Sequence, residues 1–108
     1  MSVTVNDIER LERLYATGFK DAFLDQALRK VLERQIARDE ADLARVRAAM
    51  SEFERQYEMD SETFWQRYRA GKMADTADYM EWNVLCKMQE RLMGRLAILR
   101  DEAGHERN

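Results

Sequence analysis

Asp75, Asp78 and Glu81 recur every three residues, a spacing that turns carboxylates toward one side across the start of a helix. Carboxylates so arranged are the raw material of a weak cation site. Acidic residues at that place also cap a helix and sit favourably in its dipole field, which accounts for them without a ligand. Cys86 is the only cysteine and His105 the only histidine of the 108 residues. The histidine falls in a polar tail, so no imidazole is expected to activate the thiol, and Cys86 reads as a packing residue. The chain has no glycine-rich phosphate loop and no Gly-x-Ser-x-Gly pattern. The expectation is a protein that is not an enzyme and holds neither cofactor nor metal.

A second set of chemistry-bearing side chains is aromatic: Phe53, Tyr57, Phe64, Trp65, Tyr68, Tyr79 and Trp82. It reads as a corner core where helices meet. The sharper reading leaves Trp65 and Tyr68 exposed as anchors for a protein partner, with Arg67 and Arg69 on the same short segment. Trp, Tyr and Arg are the residue types that most often anchor interfaces.

The elements that must position these residues are all helices. Proline is absent, glycine occurs four times, and charged residues make up 36% of the chain against 45% apolar, the composition of helical hairpins and coiled coils. Asn6 with Glu9 forms a capping-box pattern that opens a helix over 6–17, closed by Gly18. Asp21 opens a long helix over 21–57, which would measure roughly 55 Å. Asp60 or Ser61 opens a short helix over 61–70, closed by Gly71, and Asp75 or Thr76 opens the last, over 76–101. Ile36, Leu43, Val46, Met50, Phe53 and Tyr57 recur at steps of three and four, a heptad-like seam with Asp39 at one missing apolar position. Asp39 reads as a register-setting polar residue, as the place where the helix changes partner, or as a plain surface residue. Trp82, Leu85, Leu92, Leu96 and Leu99 supply the matching stripe on the last helix.

The predicted architecture is therefore all-α, a single domain over 1–108. A long coiled-coil-like helical hairpin carries a short N-terminal helix and a short aromatic corner helix. The last helix is too short to cover the apolar face of Phe23, Leu24, Leu28, Val31 and Leu32. That face is left for the first helix or a second subunit, which points to a homodimer or a hetero-complex with a small protein. The formal net charge is −3 and neither half is basic, so nucleic-acid binding finds weak support. No apolar run approaches a membrane span, no signal-peptide pattern opens the chain, and a lone cysteine fits a reducing cytoplasm.

The series Phe53, Tyr57, Met59, Phe64, Gly71, Asp75, Asp78 and Trp82, followed by Leu92 and Leu96, resembles small helical prokaryotic proteins similar to the antitoxin components of toxin–antitoxin pairs. The resemblance runs from about residue 8 to 100. It implies a module that binds and neutralises a separately encoded toxin. The first half is also similar to ribbon–helix–helix modules, through Ser2-Val3-Thr4-Val5, Thr17-Gly18-Phe19 and Ala27 to Leu32. That likeness implies, as the alternative, a dimeric DNA-binding repressor in which Ser2, Thr4 and Asn6 would face the DNA. A structural or adaptor coiled-coil dimer is the third reading.

Overall fold

A computed structural model of the chain describes residues 5–101 and contains four helices: α1 (Val5–Ala16), α2 (Ala22–Tyr57), α3 (Ser61–Arg69) and α4 (Ala77–Leu99). The all-α expectation holds, with no strand among the described residues. α2 runs for 36 residues without interruption and passes Asp39 unbroken. The chain divides into two compact units, residues 1–32 and 33–108.

Unit 1 holds α1 and the opening of α2. α1 starts at Val5, so Asn6 lies in its first turn and not at its cap. Gly18, at φ 90°, closes α1 in the left-handed region, and its N–H donates to the Tyr15 carbonyl at 3.0 Å. Asp21 caps α2 by accepting from the Leu24 N–H at 2.8 Å. The Tyr15 hydroxyl donates to Asp25 Oδ1, and the Tyr15 and Phe19 rings meet edge to face at 5.8 Å.

Unit 2 is an antiparallel pairing of the rest of α2 with α4, cornered by α3. Tyr57 meets Asp78 and Phe53 meets Trp82, while Asp39 meets Arg95 at the other end. The buried apolar residues are Leu43, Val46, Met50, Phe64, Trp82, Cys86, Leu92 and Leu96. Each large side chain among them contributes roughly 1.5–3 kcal/mol on burial. At the corner, Phe64 and Trp82 stack with centroids 4.0 Å apart and planes within 3°. The buried indole N–H of Trp82 donates to Ser61 Oγ at 2.9 Å.

α2 stops after Tyr57, where Glu58 takes φ 51° and the Met59 N–H reaches back to the Glu54 carbonyl at 3.2 Å. This is the left-handed helix stop in which glycine is usual. The Glu54 carboxylate then accepts from the Ser61 N–H at 2.9 Å, tying the end of α2 to the start of α3. Asp60 caps α3 through the Thr63 N–H at 2.7 Å, a bond that holds its carboxyl below the usual range. Thr76, not Asp75, caps α4.

Candidate functional site

α3 is nine residues long, so its few side chains divide sharply between the core and the outside. Phe64 points inward and is fully buried. Trp65 is half-buried, its indole N–H donating to Asn83 Oδ1 at 2.8 Å. The Arg69 guanidinium lies 4.0 Å above the Trp65 ring, a cation–π stack on the exposed side of the corner. Arg67 is exposed beside it. Tyr68 is half-buried, with its ring 5.4 Å from Phe64 and its hydroxyl 3.5 Å from Asp75 Oδ1. The expected anchors are thus brought together, and they differ in kind. Trp65, Arg67 and Arg69 reach the surface, whereas Tyr68 also belongs to the corner packing.

The stacked pair borders a cleft of about 420 Å³ floored by Met50, Cys86 and Met93 and edged by Arg47, Glu62 and Arg69. Arg47 and Met93 also line a second cleft of about 370 Å³ that runs on to Leu43, Leu96 and Arg100. The two clefts lie along the α2–α4 seam on either side of the Arg47–Met93 contact and are together termed the trough. Its floor is methionine, leucine and the Cys86 thiol, a soft and adaptable lining. Its edge carries Arg47, Arg69 and Arg100 against Glu62 and Glu40. The Arg47 guanidinium leans on Met93 Sδ at 3.6 Å, and Arg69 rests on Trp65; neither meets a carboxylate among the described residues. Arg100 is paired with Glu40.

The acidic trio is dispersed. Asp78 accepts from the Tyr57 hydroxyl, Asp75 faces Tyr68, and Glu81 is exposed. Among the described residues no cluster of three or more His, Cys, Asp or Glu is placed to hold a metal. Burial pushes the Cys86 thiol up to about 11, so it is neutral near pH 7. His105, Ser2 and Thr4 lie outside the described residues, and Asn6 is helical. On α2, Phe23, Leu28, Val31 and Leu32 are exposed and Leu24 is half-buried.

Sequence reasoning missed Arg47, Met50 and Met93 as trough residues. Met50 falls in the seam pattern, but an arginine on an exposed helix face carries no signal of what lies beneath it. No helix of the described residues is long and apolar enough to cross a membrane. Compared with known proteins, the chain matches no protein-family model, no curated protein and no solved structure.

Proposed function

We propose that this chain is a non-enzymatic protein-binding module, antitoxin-like in action, whose α3 corner and adjoining trough seat a segment of a separately encoded, toxin-like protein. The observation that carries the reading is the Trp65–Arg69 stack beside a methionine-floored trough edged by Arg47. An aromatic platform, a pliable apolar floor and cations without carboxylate partners together fit an amphipathic segment with an acidic edge. The resemblance of the Phe53–Trp82 series to antitoxin-like proteins supplies the class of partner.

Affinity capture with the tagged full chain from its native host tests this reading. The expected result is one small protein recovered near equimolar ratio, encoded beside this chain. Arg67→Ala and Arg69→Ala are the informative variants, because both residues are exposed and their loss leaves the corner packed. Tyr68→Ala would confuse binding with folding, since its ring packs on Phe64. Recovery of this chain alone, or a partner captured equally by the arginine variants, contradicts the proposal.

A further inference from the structure

A separate cleft of about 570 Å³ opens along the α2–α4 seam and shares no residue with the trough. Its floor is apolar: Val46, Leu85, Met88 and Leu92. Its rim is Arg45, Arg91 and Arg95, with Asp42 among them. We propose that this cleft binds a medium-chain fatty carboxylate, its head held by Arg91 and Arg95 and its chain laid over Leu92, Met88 and Leu85.

Charge selects a monoanion. Arg45 is paired with Asp42, and Arg95 spends two of its five N–H donors on the buried Asp39. The Arg95 side chain is still 49% exposed. Arg91 is exposed and meets no carboxylate among the described residues. Three guanidiniums thus stand against two carboxylates, and one positive charge is left for one anion. Arg91 and Arg95 are four residues apart on α4, so they share a face as an unfavourable like-charge pair. A carboxylate between them relieves that repulsion and takes the forked N–H donors whose spacing matches its two oxygens.

Size and polarity select a small amphiphile. From Arg95 to Leu85 α4 rises about 15 Å, and along that length the cationic end gives way to the apolar floor. A cleft of this volume is of the size that small molecules occupy. A folded partner does not fit: a specific protein interface engages about 20–30 residues a side, whereas eight line this cleft and α2 gives it one turn, Asp42 to Val46. An inorganic anion would leave the floor in water, and a neutral lipid would leave Arg91 without a counter-ion. Met88 lets the floor adapt to a flexible chain. The site is distinct from the α3 corner and stands whether or not a protein partner binds there.

Isothermal titration calorimetry of the full chain with dodecanoate, kept below its micelle threshold, tests this directly. The expected result is one saturable site per chain, with a dissociation constant at least about tenfold higher in Arg91→Glu. Dodecanol, which keeps the chain and loses the charge, should bind at least about tenfold more weakly. Acetate, which keeps the head and loses the chain, should not displace dodecanoate. Arg91 is exposed, so an unchanged Trp82 emission and helical signal verifies that its variant folds. Phe23, 82% exposed, marks the other apolar surface of the chain, and Phe23→Glu should bind dodecanoate as wild type does. Absence of saturable binding, equal affinity for dodecanol, equal affinity in Arg91→Glu, displacement by acetate, or loss of binding in Phe23→Glu each overturn the proposal.

Discussion

The carboxylate of Asp39 on α2 is fully buried, and Arg95 of α4, 56 residues away in sequence, grips both of its oxygens at 2.7 and 2.9 Å. Gln35 adds a third bond at 2.9 Å. A bidentate guanidinium on a buried carboxylate has one good geometry, so the pair fixes the register of α4 on α2.

The Arg95 bonds hold the Asp39 carboxyl below its ordinary value. A depressed folded-state pKa contributes stability above the unfolded value of about 3.9, and that contribution is lost as pH falls through the folded value. Arg95→Met should leave the carboxylate buried without its cation, lower the melting temperature at pH 7 clearly, and move the acid transition to higher pH. Asp39→Leu with Arg95→Met should recover much of that loss, because an apolar pair of similar bulk needs no counter-ion. Thermal melts of the three variants between pH 3 and 7 check this; equal melting of Arg95→Met and wild type would contradict it.

Trp82 and Phe64 are both fully buried in one stack. Trp82→Ala should cost about 3–5 kcal/mol by urea unfolding. Ser61→Ala removes the acceptor of the buried indole N–H and should cost about 1–3 kcal/mol. Indole emission in Ser61→Ala should stay that of a buried ring, separating a lost hydrogen bond from an opened corner.

Glu58 and Gly71 occupy the same left-handed region, at φ 51° and 75°. Glu58→Gly should stabilise the protein by about 1 kcal/mol. Gly71→Ala should destabilise it by a similar amount, about 1 kcal/mol, for conformational reasons alone, since no atom lies within 4 Å of an added Cβ there. Opposite shifts of the urea midpoint with unchanged slope are the expected outcome.

Two hydroxyls are held protonated by neighbouring carboxylates. Asp25 pushes Tyr15, and Asp78 pushes Tyr57, up to about 12. A raised folded-state pKa contributes stability that is complete below the unfolded value of about 10 and is lost as pH rises through the folded value. Ultraviolet titration should therefore show two of the four tyrosines ionising late. Asp78→Asn should bring the Tyr57 titration down and remove part of the stability present below pH 10. Cys86, 3% exposed and held protonated, should react with an aromatic disulfide near pH 8 more slowly than a free thiol.

Much of the fold was legible because periodicity and punctuation agree. Gly18, Gly71 and Asp21 end or start helices where their backbone and side-chain chemistry requires it. The Leu43–Met50 and Leu92–Leu96 stripes meet as their spacing implies. What failed to show was long-range. Asp39 offered three readings because the cation that resolves them lies 56 residues on. Glu58 in a left-handed turn leaves no compositional trace, since glycine is the residue that announces one. Trp65 and Phe64 are neighbours of similar character, and only the direction from which α4 approaches decides which is core. Arg47 and Met93 become part of one surface solely because α2 and α4 pack side by side.

The most direct test of the partner-binding account is quantitative capture with wild type beside Arg47→Glu/Arg69→Glu, both chains verified as folded by their helical signal. The account expects wild type to retain a small protein near equimolar ratio and the double variant to bind it at least about tenfold more weakly, since two cations facing an acidic edge have become repulsive. Equal retention by the two chains would contradict it.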